Sequence, residues 1–367
     1  MTTLVSEARV WVAEPARIVG DLCAHFLEHD VPVEHGEAAG RILFDVGLGL
    51  VAAAPGGILL RAESPDDAGL AVIKFMLASH LLEHPAAADA AIAWTGDGCD
   101  DAVLPSLREL QVRRVEDLTP RMRRITFAGR DLARYDAPDM HVHLLIPPLG
   151  RPPAWPVPGP TGIPLWPQDE ARPAIRTYTI RRIDPAAGEI AIDFVRHAPA
   201  GGAGPDPDGA GPGTAFAERA RPGDVVGILG PGGRTAGDAE WYLLAGDETA
   251  LPAIGRILER LPAGAAGVAV IEVADAGEEQ PLAHPPGVAL RWLHRGPAPA
   301  GSTSLILDAV RAVEIPAGRR VFAWAGTEFE TFKGLRAHWR RACGLDRTRH
   351  LAVAYWRRGA TADEEAA

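Results

Sequence analysis

The hydrophobic period of this chain changes near Gly233, and that change limits the folds open to it more than any other feature. Before it, apolar stretches at 110–115, 123–127, 142–146, 175–183, 190–195 and 224–229 are separated by turn residues. Six short strands of this kind predict a closed antiparallel β-barrel, which leaves no sheet edge exposed. After it, strand patterns at 241–245, 268–273, 288–293, 321–325 and 350–356 alternate with helical ones at 251–261, 305–313 and 327–343. Alternation predicts a doubly wound α/β domain with ligands at the carboxyl ends of its parallel strands.

The stretch ahead of the barrel reads as a small α+β domain. A strand at 8–12 precedes a helix at 15–28 that starts at Pro15 and carries Ile18, Leu22, Phe26 and Leu27 along one side. Hairpin strands follow through 41–61, and Ser64-Pro65-Asp66-Asp67 opens a second helix with Leu70, Ile73, Met76, Leu77 and Leu81 at helical spacing. The domains expected are therefore 1–97 (acidic α+β), a polar linker at 98–106, a barrel at 107–235, an α/β domain at 236–359 and a disordered acidic tail at 360–367. Two long segments rich in Pro, Gly and Ala, 147–173 and 198–213, read as surface or lid loops.

Charge separates the first domain from the rest. Residues 1–105 hold 16 Asp/Glu and 5 Lys/Arg, so the chain's whole net charge of −11 lies there and the remainder carries 32 of each sign. Within that neutral remainder, 333–358 has eight basic residues and one acidic residue, Asp346. A short basic stretch on an acidic protein argues against nucleic-acid binding and suits a small anionic ligand or a solvated helix face. With 47% apolar and 23% charged residues the chain is globular. No apolar run approaches the ~20 residues of a membrane span, and the N-terminus lacks the pattern of a secretory signal, so a cytoplasmic protein is expected. The three cysteines are odd in number and form no C-x-x-C pair. They support neither a disulfide framework nor an iron–sulfur cluster, so redox chemistry would have to come from an organic cofactor or a metal held by other ligands.

Arg176-Thr177-Tyr178-Thr179-Ile180-Arg181 lies on the fourth barrel strand. There Arg can neutralise a pyrophosphate, Tyr can stack on a flat heterocycle and Thr can hydrogen-bond a ring nitrogen, which together meet the needs of a flavin dinucleotide. Asp193-Phe194-Val195-Arg196-His197 follows on the next strand. Gly213-Thr214-Ala215 then opens a helix whose free N–H groups and hydroxyl suit phosphate. Further on stand Ala245-Gly246-Asp247-Glu248-Thr249-Ala250-Leu251-Pro252-Ala253-Ile254, Trp324-Ala325-Gly326-Thr327-Glu328 and Tyr355-Trp356-Arg357-Arg358-Gly359.

Leaving aside Gly213-Thr214-Ala215, this ordered set of five motifs over 107–359 resembles the siderophore-interacting protein family, FAD-binding ferric-siderophore reductases of the ferredoxin–NADP reductase superfamily. The resemblance implies FAD in the barrel, a nicotinamide-type α/β domain, and reduction of Fe(III) held by a siderophore. Carried over by position, it implies Arg176, Tyr178 and Thr179 against the flavin, with Asp193, Val195 and His197 on its other side. Thr214 and Ala215 would meet the FAD phosphates, and Asp247, Glu248, Thr249 and Ala250 would border the nicotinamide site. Residues 1–97 resemble a separate small domain family of no assigned activity. His143 stands where the family often has lysine, and only two lysines occur, Lys74 and Lys333, so a siderophore clamp would be mostly arginine.

The chemistry implied needs no side chain as acid, base or nucleophile, because a flavin accepts a two-electron hydride and passes single electrons to iron. Lys333, Arg357 and Arg358 are the residues expected to attract an anionic ferric siderophore. The donor expected is NADH or NADPH. No G-x-G-x-x-G precedes the first α/β helix; Gly246-Asp247-Glu248-Thr249 stands there, and its carboxylates would repel a pyrophosphate. The acidic second-strand end, Glu272 to Glu279, favours NADH over NADPH, and a ferredoxin donor stays open. Other FAD/NAD(P)H oxidoreductases, such as flavin or quinone reductases, and a siderophore-binding adaptor without flavin are alternatives. His25/His29 and His80/His84 sit four apart on the two N-terminal helices, but without a third ligand no metal site is expected.

Overall fold

The computed structural model describes residues 2–29, 31–138, 140–196 and 211–360. They divide into two compact units, Met1–Leu107 with Ala154–Arg172, and Arg108–Pro153 with Pro173–Ala367. Of the two loop segments, 197–210 lies outside the described residues, as does the tail beyond Ala360.

The first unit has the chain order β1 (Leu4–Trp11), α1 (Pro15–Glu28), β2 (Val33–His35), β3 (Ala39–Phe44), β4 (Gly47–Ala54), β5 (Gly57–Ser64), α2 (Asp67–Glu83) and β6 (Trp94–Gly96). Its strands form one antiparallel sheet in the order β2-β3-β4-β5-β1-β6. Ile18, Leu22 and Phe26 of α1 and Leu70, Ile73, Leu77 and Leu81 of α2 join Val51, Ile58 and Leu60 of the sheet in a single apolar core. Both helices thus bury most of the stripe that their 3.6-residue period marks out, but Leu27 at the end of α1 is 45% exposed and Met76 only half-buried at the margin of the core. The start of α2 is held by Asp66, whose Oδ1 accepts from the Gly69 N–H at 2.8 Å. The short β2 and β6 have too few residues to show a period, and sequence reading missed them. Part of the Pro-rich segment belongs with this unit: the Trp94 indole donates to the Thr161 carbonyl at 2.8 Å, and Ile163 packs against the core.

The second unit begins with β7 (Leu107–Thr119), β8 (Met122–Gly129), β9 (His141–Ile146), β10 (Ala174–Asp184), β11 (Glu189–Val195), α3 (Pro212–Arg219) and β12 (Val225–Gly232). The six strands close into a barrel in the order β10-β11-β8-β7-β12-β9. Each observed strand contains or nearly matches its sequence-predicted stretch. Phe216 of α3 packs into the barrel core near Phe127 and Phe194.

The α/β half follows as β13 (Trp241–Gly246), α4 (Leu251–Arg260), β14 (Ala266–Val273), β15 (Gly287–His294), α5 (Leu305–Arg311), β16 (Val321–Glu328), α6 (Phe329–Arg341) and β17 (His350–Trp356). Its five strands are parallel in the order β15-β14-β13-β16-β17. Thr327 and Glu328 extend β16 rather than start α6. The reason is local: the Glu328 carboxylate accepts from the Glu330 N–H at 2.7 Å and caps the helix from outside it.

Barrel and α/β half are joined by buried polar contacts. Arg181 on β10 makes a two-bond pair with Glu259 on α4, at 2.9 and 2.7 Å. Buried Arg256 donates to the carbonyls of Ile180 and Ala137, at 2.7 and 2.9 Å. Glu278 accepts from the Thr119 hydroxyl and from the Arg121 N–H.

Candidate functional site

The structure brings the first barrel motif to the start of α3. Tyr178 lies against Phe194 with ring centroids 4.4 Å apart, and a Cβ at Gly213 would come within 2.1 Å of the Tyr178 hydroxyl oxygen. Only glycine allows this approach, so the Gly213 start of α3 and the tyrosine strand share one surface. Burial pushes the Tyr178 phenol well above its ordinary range, so it stays protonated at neutral pH. Half-buried Arg176 lies two residues back on the same strand and donates to the Ile175 carbonyl at 2.7 Å.

Helix α3 begins at Pro212 after Gly211, with no side chain capping it. Its first N–H groups, including those of Thr214 and Ala215, sit at the positive end of the helix; the Ala215 N–H already donates to the Gly211 carbonyl at 3.0 Å. Two arginines fix the helix on the barrel. Arg123 donates to the Ala217 carbonyl at 3.0 Å, and Arg196 makes a two-bond pair with Glu218 at 2.7 and 2.9 Å. Buried Asp193 is held by Arg124 across the β8–β11 ladder, again by two bonds, at 2.6 and 2.8 Å. Its carboxylate is thereby committed to the strand pair. Val195 ends β11 half-buried, and His197 lies outside the described residues.

Thr179 points away from the Arg176–Tyr178 face. It is buried and shares a hydrogen bond with the hydroxyl of Tyr355 on β17, which also lies 2.7 Å from His141 Nε2. The Tyr355 ring lies so close to β16 that a Cβ at Gly326 would stand 2.8 Å from it. Burial, with Arg256 and His143 nearby, holds His141 down at about 4, so its imidazole is neutral at pH 7. This Thr179–Tyr355–His141 contact joins the two halves of the unit. Sequence reading missed it, although Tyr355 opens the motif Y-W-R-R-G and His141 stands two residues before His143; the partnership needs two distant strands to meet.

The carboxyl ends of the parallel strands carry a second constellation. Asp247, Glu248 and Glu272 are each buried. Asp247 accepts from the N–H and hydroxyl of Thr249 and from the Trp356 indole at 2.9 Å. Glu248 and Glu272 flank buried Arg295, which contacts Glu248 as an ion pair without hydrogen-bond alignment. Glu272 also accepts from the Thr303 hydroxyl at 2.7 Å. Burial pushes the pKa of all three acids up, and Arg295 opposes that shift. Ala250, fully buried, precedes α4.

The acidic second-strand end is less open than its sequence implies. Glu272 and Glu278 are buried and engaged, and Glu279 pairs with His294 at 2.8 Å. Arg256 turns to the barrel, while Arg295, which sequence reading did not single out, supplies the local cation.

The predicted basic residues gather on α6 and past β17. Phe329 carries the Arg357 guanidinium 3.9 Å from its ring centroid and the Lys333 ammonium 5.1 Å from it. Exposed Arg358 follows, its N–H donating to Glu328 at 3.2 Å.

Residues 111–235 match the siderophore-interacting FAD-binding domain and 239–359 the siderophore-interacting protein family. Residues 7–95 match a family described as uncharacterized proteins conserved in bacteria. A siderophore utilization protein from T. fusca is 39% identical, with 70% of this chain and 94% of that one covered and a TM-score of 0.57. The siderophore-interacting protein SipS from Aeromonas hydrophila is 33% identical, covering 71% of this chain and 94% of that one, with a TM-score of 0.58. Ferric vibriobactin reductase ViuB from Vibrio cholerae is 33% identical over 198 residues, 53% of this chain and 68% of its own length.

Proposed function

The chain belongs to the siderophore-interacting protein family, and from that membership we propose that it is an FAD-dependent ferric-siderophore reductase using NAD(P)H. The observation that carries this reading is the approach of Tyr178 to the uncapped start of α3 at Gly213, with Arg176 two residues back on the tyrosine's strand. A ring, a fixed cation and a cluster of helix N–H groups on one surface fit an isoalloxazine and a pyrophosphate. When bound, FAD supplies the conversion between a two-electron hydride donor and one-electron Fe(III).

In this reading Tyr178 supports the ring system and Arg176 balances the pyrophosphate. Thr214 offers its N–H and hydroxyl to phosphate and Ala215, whose N–H is held by the Gly211 carbonyl, lies beside it, while Asp193 acts as a positioning residue through Arg124. Asp247 to Ala250 border the nicotinamide ring; Asp247 is hydrogen-bonded by Thr249 and Trp356 and Glu248 is paired with Arg295, so their charges are met within the protein. Lys333, Arg357 and Arg358 attract the ferric chelate, and reduction loosens it because hard oxygen ligands hold Fe(III) better than Fe(II). No side chain acts as acid, base or nucleophile. No helix among the described residues is long and apolar enough to cross a membrane, and a cytoplasmic site of action fits a nicotinamide donor. The relatives lend no support to a ferredoxin donor.

The test is spectroscopic. The purified protein should be yellow, bleach on anaerobic addition of NADH, and recover its colour when a ferric siderophore is added as Fe(II) accumulates on a chromogenic chelator. A colourless protein that still binds the chelate would mean an adaptor. Bleaching without recovery on any ferric chelate would mean a different flavin oxidoreductase.

A further inference from the structure

The first unit contains a cluster that the flavin reading does not use. Helices α1 and α2 bring their carboxyl-terminal turns together, and ligating atoms of His25, His80 and Glu83 all lie within 4.8 Å of one another. His29, the cap residue of α1, has its ring centroid 4.5 Å from that of His25 and 6.2 Å from that of His80. The i, i+4 pairs seen in sequence are thus not the operative ones; the tertiary fold pairs His25 with His80 across two helices and adds Glu83 at i+3.

We propose that His25, His80 and Glu83 form a site for a divalent transition cation of the zinc type, with His29 in reach as a fourth ligand. Three features support it. First, the His80 tautomer is set: Nδ1 lies 2.8 Å from the Met76 carbonyl oxygen, which can only accept, so Nδ1 carries the proton and Nε2 keeps its lone pair. Metal-binding histidines are oriented by a hydrogen bond of this kind. Stacking on Phe26, with centroids 4.6 Å apart, further fixes the ring. Second, both helices direct the negative ends of their dipoles at the cluster, and Glu28 lies 4.0 Å from His25 Nδ1, so the local field favours a cation. Third, two imidazoles and a carboxylate are the donor set for borderline divalent ions, with positions left for a further ligand or water. Bound ligand atoms would stand about 3.3 Å apart for metal–ligand distances of about 2.0 Å, a contraction that needs rotation of the exposed Glu83 chain and of the half-buried His25 ring towards the fixed His80.

His84 is a built-in control. Its Nδ1 accepts from the Ala86 N–H at 3.2 Å, so the proton is on Nε2, which faces Asp21 at 3.2 Å. Both nitrogens are engaged and neither can ligate. Cys23 is likewise excluded, because it is buried in the core and burial pushes its thiol up.

The experiment uses the full chain after treatment with a chelator. Zn(II) is titrated in competition with a chromophoric chelator, and Co(II) is followed by its d–d absorption at wavelengths beyond flavin absorption. One tight equivalent per chain is expected, with affinity lowered at least tenfold by His25→Gln, His80→Gln or Glu83→Gln and unchanged by His84→Gln. Glu83 is exposed, so Glu83→Gln remains informative if His80→Gln weakens packing on Phe26. Absence of a tight equivalent, equal affinity in His25→Gln/His80→Gln, or an equal loss in His84→Gln would each overturn the proposal. The readout is independent of the flavin and of ferric reduction.

Discussion

The tyrosine strand of the barrel and the carboxyl edge of the parallel sheet handle charge in opposite ways. At the barrel, Tyr178 meets the uncapped start of α3, whose first N–H groups lie at the positive end of the helix, and Arg176 stands two residues back on the tyrosine's strand. At the sheet edge, Asp247, Glu248 and Glu272 are buried with Arg295, Thr249, Thr303 and Trp356 as internal partners. A surface with helix N–H groups to offer suits a multiply charged ligand; an edge whose charges are met internally suits a neutral ring. The contrast explains how one unit can favour phosphates on one side while carrying carboxylates on the other.

The largest effect expected from breaking the contrast is at Arg295. Arg295→Met leaves Glu248 and Glu272 buried without their cation, which costs roughly 3–5 kcal/mol. Denaturant unfolding followed by hydrogen exchange in β14 and β15 measures it, and a loss under about 1 kcal/mol would mean that the acids are protonated and need no partner.

The next effect is on pH dependence at the contact between the halves. His141 titrates at about 4 in the folded protein and near 6.5 when unfolded, so below pH 6.5 the unfolded chain takes up a proton that the native one refuses. Its contribution is therefore present above pH 6.5 and lost as pH falls towards 4, by at most about 3 kcal/mol. The buried acids with raised pKa act in the opposite sense, so the measure is the difference between wild type and His141→Gln. Parallel stability–pH curves for the two would show that His141 is not held neutral.

At the barrel, Arg176→Ala/Tyr178→Ala should weaken flavin retention about 10- to 100-fold, in line with roughly 1.5–3 kcal/mol for a charged hydrogen bond; because the Tyr178 ring also packs on Phe194, retention is read on protein shown to be folded. Stoichiometric flavin in the purified double variant would sink the assignment. A smaller change is expected from Arg357→Glu/Arg358→Glu, which should slow chelate reduction several-fold at low ionic strength and less at high. Rates insensitive to salt in both proteins would leave these residues as a solvated face. The smallest effect is coenzyme choice. With Glu272 and Glu278 engaged, exposed Asp275 and Glu279 are the acids left to disfavour a 2′-phosphate, so NADH should exceed NADPH in kcat/KM only a few-fold. Equal values, or a preference for NADPH, would mean that the ribose lies elsewhere.

Much of the fold was legible because it rests on short-range periodicity. Ile125 and Phe127, or Ile254, Ile257 and Leu258, mark a strand or helix face by spacing alone, and each is buried as that spacing requires. The motifs themselves were legible as well, since Arg176 and Tyr178 stand two apart on one predicted strand and Gly213 opens a predicted helix, but that Gly213 meets Tyr178 took the fold. What sequence could not assign was the partner of each charged or polar group. Nothing local says that Asp193 is held by Arg124, that Thr179 turns to Tyr355, or that Arg295 stands between two acids. The histidines show the same limit: spacing joins His80 to His84, whereas packing of α1 on the sheet beside α2 joins His80 to His25. Periodicity is a property of neighbouring residues and survives in the bare sequence. Charge pairing, tautomer and ligand geometry depend on distances between residues far apart in the chain, and only the closed tertiary structure sets those.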